Sequence, residues 1–280
     1  MSRRFVLLGD PVAHSLSPVL HEAAFGALGE DAEYAAVRVG AAELAEAMRI
    51  GVDGGNVTVP HKRRAADLLD VRTEAVRITG ACNCFRLEAS GQLWGDNTDV
   101  EGFRQALHRL PEARLGGRAV LVLGAGGGAA AVVAACIAVG ARRVAIVNRS
   151  PDRARALARR FAGSGSEVDL VSRGDARREA WDLVVNATSL GLRAADPLPM
   201  RLDASRVRAA FDLVYGRDGT AWTRHARESG IPVSDGLEML IQQAGLSVQR
   251  WLDRTPPLEP MRRAVETVLS SAAPPAGRGS

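Results

Sequence analysis

A chain of 280 residues, 46% hydrophobic and 24% charged, is long enough for two domains of ordinary size, each with its own core. No stretch approaches the ~20 continuous apolar residues of a membrane span, and the apolar run after Arg4 is too short for a signal peptide, so a cytoplasmic location is expected by default. The formal charge of +4 comes from arginines spread along helical faces among Glu and Asp, without a nucleic-acid motif, so neither nucleic acid nor membrane is an expected partner.

The segment FVLLGDP reads as a short strand running into a loop. Ser17 at the N-cap with Pro18 in the first helical position then opens a helix through Leu28, closed by Gly29. YAAVRV predicts a strand, AAELAEAMRI a helix and GGNVTVP a strand ending at Pro60, a βαβ alternation. CNCFRLE and QLWGDN predict a hairpin around Ala89, Ser90 and Gly91, and a helix begins at Thr98 with capping-box spacing to Glu101.

A second unit starts at Arg118, where AVLVLGAGGGAAAVVAACIAVGARRVAIVNRS predicts a buried strand, a glycine turn, an Ala/Val-rich helix and a second buried strand. DLVVNATSLG and RAAFDLVYG add strands to that sheet, and IPVSDG ends it. Two helices follow without a strand, EMLIQQAGLSVQRWL and LEPMRRAVETVLSS, which suits a chain crossing back to cover its first domain. The expected class is α/β: a substrate domain of residues 1–101 plus 237–270, a Rossmann-like nucleotide domain of residues 102–236, and a disordered tail over 271–280. Cys82, Cys84 and Cys136 form neither a disulfide framework nor a zinc spacing, and no metal is expected.

Gly124, Ala125, Gly126, Gly127 and Gly128 follow a predicted strand and open a helix. Glycine there lets backbone approach a pyrophosphate while the helix end supplies free N–H groups, which predicts dinucleotide binding. At the end of the next strand an NAD enzyme places an acid for the ribose 2′-hydroxyl. This chain instead has Asn148, Arg149 and Ser150, then Arg153, a set suited to the 2′-phosphate of NADP(H), although the two arginines also read as members of a solvated helix start.

Of 36 lysines and arginines, only Lys62 is a lysine. Arginine does not give up its proton, whereas a lysine ammonium does, so a chain this biased toward arginine keeps lysine where a proton must be exchanged. Lys62 follows a strand end in NVTVPHK, and Asp99 lies at a strand-to-helix junction in GDNTD. Together they suit a proton-transferring pair beside a substrate oxygen; the plainer alternatives are a solvent lysine and an acid that complements a helix dipole. Ser15 and Ser17, in HSLSP, offer two hydroxyls at a helix N-terminus, suited to a carboxylate, while Ser17 also reads as a simple cap.

GDPVAHSLSP, NVTVPHK, GACN, GDNTD, GAGGG, NRS, NATSLG, DLVY and DGLEMLIQQA occur in the order of their equivalents in shikimate dehydrogenases, and the chain resembles that family over almost its whole length. The resemblance implies a two-domain α/β fold and reversible hydride transfer from NADPH to the C3 ketone of 3-dehydroshikimate, with possible homodimerisation. It implies that Ser15 and Ser17 hold the carboxylate, that Thr58, Asn83, Asp99 and Gln243 bind ring hydroxyls, and that Lys62 with Asp99 handles the proton. Tyr215 falls at a substrate-side position, and Asn186, Ala187, Thr188, Ser189 and Gly236 fall near the cofactor. Three departures stand out: Cys84 in place of the usual threonine, no proline after Tyr215, and Glu238 where glycine is common, close to where nicotinamide would lie. A sister activity on quinate or aminoshikimate is the near alternative; quinate-active relatives often carry threonine at the second serine, so Ser17 favours shikimate. A catalytically silent NADP-binding sensor is the alternative of another class, and retention of Lys62 and Asp99 counts against it.

Overall fold

The computed structural model describes residues 2–271; the tail expected over 271–280 lies outside these residues apart from Ser271. The first unit runs β1 (Arg3–Gly9), α1 (Ser17–Leu28), β2 (Ala32–Arg38), α2 (Leu44–Ala47), β3 (Gly54–Val57), α3 (Lys62–Leu68), β4 (Val71–Arg72), α4 (Glu74–Thr79), β5 (Cys84–Leu87), β6 (Leu93–Asp96) and α5 (Thr98–Leu107). The second runs β7 (Ala119–Leu123), α6 (Gly127–Ala138), β8 (Arg143–Val147), α7 (Pro151–Arg160), β9 (Glu167–Leu170), α8 (Arg173–Ala176), β10 (Leu183–Asn186), β11 (Ala210–Asp212), α9 (Ala221–Glu228) and β12 (Val233–Ser234). Two helices, α10 (Leu237–Leu252) and α11 (Leu258–Ser271), close the described chain.

The first sheet has strand order β2-β1-β3-β5-β6-β4. Strands β1, β2 and β3 are parallel, while β5 runs antiparallel to both β3 and β6. The C-terminal ends of β1, β3 and β6 therefore share one sheet edge with the N-terminal end of β5. Every candidate substrate residue of the first unit adjoins that edge: Ser15 and Ser17 after β1, Thr58 and Lys62 after β3, Asn83 before β5 and Asp99 after β6. The hairpin that creates the reversal turns at Gly91, whose φ of +81° is open to glycine at no steric cost.

The second sheet is parallel throughout, in the order β12-β11-β10-β7-β8-β9. All five residues of β7 are buried, as expected of a parallel strand covered on both faces. The chain reverses direction across the sheet between β7 and β10, the switch point where such folds open a crevice at the carboxyl ends of the strands. Helix α6 is buried along most of its length because Ala and Val fill nearly every position, and it packs beside α5 in a core that includes Phe103 and Phe211.

Helices α10 and α11 complete the first unit: Ile241, Ala244, Val248, Met261 and Val265 share one buried cluster with Leu20 and Ala24 of α1. At Gly102 a Cβ would stand 2.8 Å from that of Gln243, so glycine lets α5 and α10 approach closely enough to bring Gln243 to the sheet edge.

Several local expectations are corrected. Leu16, not Ser17, is the N-cap of α1, and Ser17 does not cap through its side chain; Ser15 Oγ instead accepts from the Ser17 amide at 3.2 Å. The Thr98–Glu101 capping box does not form; Asn97 takes the cap position, and Glu101 binds Arg104 at 2.6 Å instead, a stronger partner than a backbone amide. The helix expected over AAELAEAMRI shrinks to Leu44–Ala47, and the strand expected to reach Pro60 ends at Val57, because the following residues turn to place Lys62. Strands β4 and β9 carry too few apolar residues to be legible in the sequence.

Candidate active site

Lys62 is the first residue of α3. Its backbone is pinned by Cys82, whose amide donates to the Lys62 carbonyl at 2.8 Å, and the preceding His61 is buried with its ring 2.8 Å from the Val39 carbonyl. The ammonium Nζ donates to Asp99 Oδ2 at 2.5 Å, with the two side chains 17% and 5% exposed. Asp99 sits in the first turn of α5, where the helix dipole favours a carboxylate.

Buried Asn83 completes the pair. Its Nδ2 lies 2.8 Å from Asp99 Oδ1, 2.9 Å from Thr98 Oγ1 and 3.2 Å from Gln243 Oε1, and its Oδ1 accepts from the Thr98 amide at 2.7 Å. Three acceptors share two amide hydrogens, which leaves acceptor capacity for a hydroxylated ligand.

Sequence reasoning missed the polar wall behind these residues. Asn56 Nδ2 donates to the Asn83 carbonyl at 2.9 Å and to Ser247 Oγ at 2.8 Å, while its Oδ1 accepts from the Tyr34 hydroxyl at 2.9 Å. Tyr34 neighbours Ser17, and Ser17 Oγ lies 3.1 Å from Ser15 Oγ. The wall thus runs from the paired serines to the lysine and aspartate. Asn56 had a legible signal, a polar residue in an otherwise apolar strand; Tyr34 and Ser247 had none. Thr58 closes β3 over Gly9, where a Cβ would come within 2.3 Å of Thr58 Cγ2. Tyr215 comes from the second unit to the Leu16 backbone, between the serines, and burial raises its pKa.

The second unit presents the glycine turn at the switch point. Gly124 has φ of +116°, and a Cβ there would stand 2.7 Å from the Ala187 carbonyl oxygen, so the ends of β7 and β10 meet only through glycine. At Gly127 a Cβ would stand 2.9 Å from that of Lys62, which brings the nucleotide turn directly against the lysine. Gly128 faces Leu213, and at Gly236 a Cβ would stand 2.1 Å from the Leu213 carbonyl oxygen. Asn186 is held by buried Asp212, whose Oδ1 accepts from Asn186 at 2.8 Å and whose Oδ2 accepts from Thr220 at 2.6 Å. Burial pushes the Asp212 carboxyl up to about 6 despite these donors. Thr188 Oγ1 donates to Asn186 Oδ1 at 2.7 Å, which orders the loop carrying Ala187 and Ser189.

At the end of β8, Asn148 Nδ2 donates to the Ser150 carbonyl at 2.9 Å, and Arg149 and Arg153 are exposed. Among the described residues no carboxylate pairs with either arginine; the nearby acid Asp152 is taken by Arg155 at 2.7 Å. Unpaired guanidinium groups at a strand end, beside a turn whose backbone is open to approach, fit a phosphorylated dinucleotide.

The departures also resolve. Glu238 is held by partners of its own: it pairs with Arg262 of α11 at 2.7 Å and Arg109 at 3.3 Å and accepts from Gln242 at 2.8 Å. Burial alone would raise its pKa, but these partners hold the carboxyl below the usual range. Cys84 is fully buried, and the segment after Tyr215 is closed by a turn in which the Gly219 amide donates to the Gly216 carbonyl at 3.2 Å.

Three family models match the chain: the shikimate dehydrogenase substrate binding domain over residues 7–85, shikimate/quinate 5-dehydrogenase over 105–195, and the shikimate 5′-dehydrogenase C-terminal domain over 236–266. A protein of Rubrobacter xylanophilus named shikimate dehydrogenase (NADP(+)) is 42% identical over 269 residues, covering 92% of this chain and 94% of that protein. The crystal structure of shikimate 5-dehydrogenase from Thermus thermophilus in complex with NADP(H) and shikimate superposes with a TM-score of 0.80 at 34% identity, covering 95% of this chain and 99% of the other. The 5-ketofructose reductase of a Gluconobacter strain also superposes, with a TM-score of 0.80 at 28% identity over 96% of this chain and 99% of its own.

Proposed function

Because the chain belongs to the shikimate dehydrogenase family, we propose that it catalyses the reversible, NADP-dependent reduction of 3-dehydroshikimate to shikimate. The observation that carries this reading is the 2.5 Å contact between Lys62 and Asp99, on the same sheet edge as the paired hydroxyls of Ser15 and Ser17. One end of the cleft suits proton exchange at a ring oxygen and the other suits an anion. A silent sensor has no use for the first of these, and a reductase of uncharged sugars has no use for the second.

Bound NADPH supplies the hydride. Lys62 donates a proton to the oxygen of the reacting carbonyl and takes it back in the oxidation direction, while Asp99 holds the ammonium on that oxygen and accepts from the adjacent hydroxyl. Asn83 and Gln243 orient the ring through its hydroxyls, with Thr58 alongside. Ser15 and Ser17 bind the carboxylate, and Tyr215 covers them from the cofactor-binding unit. The turn of Gly124 to Gly128, which lies against Lys62, would hold the dinucleotide, so the second unit would supply the hydride and the first the proton.

The carboxylate is remote from the reacting carbon, so its contacts contribute similarly to ground and transition states. The double variant Ser15→Ala, Ser17→Ala should raise KM for shikimate about tenfold or more with a smaller change in kcat. Neither serine is the N-cap of α1, and the helix-end bond lost is the single one from the Ser17 amide to Ser15 Oγ at 3.2 Å, so the fold should persist, as thermal melting would show. Wild type should favour shikimate strongly over its methyl ester, and the variant should lose that preference. Equal use of acid and ester by wild type would contradict the assignment of both the site and the substrate class.

A further inference from the structure

Arg63 stands beside Lys62 on α3 but reaches across the cleft. Its Nη2 donates to the Ala125 carbonyl, inside the glycine turn, at 2.9 Å. From the opposite side Arg160 of α7 donates to the carbonyls of Arg77 and Ile78 at 2.8 and 3.1 Å, packed where a Cβ at Gly80 would stand. Arg63 and Arg160 line one recess of about 240 Å³ between the units, together with Asp67, Thr79, Gly80 and Ala156. Burial, followed by the positive fields of Arg153 and Arg160, lowers the pKa of the Arg63 guanidinium. Among the described residues no carboxylate lies within ion-pair distance of Arg63, Arg149 or Arg153, although Asp67 borders the recess. Gathered cations without a counter-ion repel one another, and a phosphate between them reverses the sign of that interaction.

We propose that Arg63 is a third phosphate-binding arginine, reaching from the substrate-binding unit to the 2′-phosphate of NADP beside Arg149 and Arg153; this rests on the NADP reading above. The 2′-phosphate is favoured over the pyrophosphate because Ala156 and Arg160, which line the recess with Arg63, belong to α7, the helix that follows the ribose-reading strand end. The pyrophosphate belongs instead to the N–H groups that open α6. Since Arg63 and Lys62 share the first turn of α3, holding the phosphate also holds the catalytic lysine against the nucleotide turn.

The test is the dissociation constant of NADP and of NAD, by titration calorimetry at fixed ionic strength, for the full-length wild type and for Arg63→Ala, Arg63→Lys and Arg149→Ala. Arg63→Ala should weaken NADP roughly tenfold and leave NAD within about twofold, because only NADP carries the extra phosphate. Arg63→Lys should recover part of the loss, since it restores a point charge without the planar fork. If Arg149→Ala is selective against NADP while Arg63→Ala changes nothing or weakens both cofactors alike, the role of Arg63 is overturned and the NADP reading stands. If neither variant discriminates between the cofactors, both fall together.

Discussion

Replacing Lys62 with alanine should lower turnover of shikimate by about 10²–10⁴, the share that one positioned acid or base supplies, with KM changed far less. Truncation removes the one group placed to exchange a proton while leaving the hydrogen bond from Asn83 to Asp99 Oδ1 and the helix-dipole position of Asp99 intact, so the cleft keeps its shape. Lys62→Arg should be nearly as damaging. The charge beside Asp99 survives, but a guanidinium does not release its proton. Steady-state kinetics on folded variants decide the matter; an alanine variant within about threefold of wild-type turnover would remove Lys62 from the mechanism.

The second large effect is on cofactor preference. Arg149→Ala should weaken NADP by about 10- to 100-fold and leave NAD nearly unchanged, because a hydrogen bond to a charged group is worth ~1.5–3 kcal/mol and only NADP offers the phosphate. No carboxylate competes for this guanidinium among the described residues, so its charge is available to the ligand. Asn148→Asp should add repulsion against the phosphate while offering NAD a ribose acceptor, and the two changes together should move the preference toward NAD. The ratio of kcat/KM values for the two cofactors, in wild type and each variant, reads the effect directly. An equal loss with both cofactors would place Arg149 away from the 2′-phosphate.

The sequence made the two-sheet architecture legible because its signals were strong and local: continuous apolar strands, a glycine turn between strand and helix, and a hairpin marked by Ser90 and Gly91. It made the Lys62–Asp99 pair legible through residue type and placement at strand ends. Terminal capping was less legible, because Ser17 and Thr98 have the right chemistry for caps but are claimed by tertiary partners; the Thr98 amide, for instance, binds Asn83 Oδ1. The wall formed by Tyr34, Asn56 and Ser247 joins residues up to 191 positions apart, a separation that local patterning does not reach. Glu238 shows the same limit in reverse. Its position suggested the nicotinamide, but Arg262 and Arg109, remote in sequence, take its carboxylate in ion pairs.

The most direct test of the account follows NADPH or NADH formation by the wild-type protein with shikimate, quinate and aminoshikimate, each offered with NADP and with NAD. The account predicts the highest kcat/KM for shikimate with NADP. It predicts a fall of about tenfold or more when NAD replaces NADP, from the loss of charge-assisted contacts to the 2′-phosphate. A highest value with quinate, or with NAD as cofactor, would contradict it.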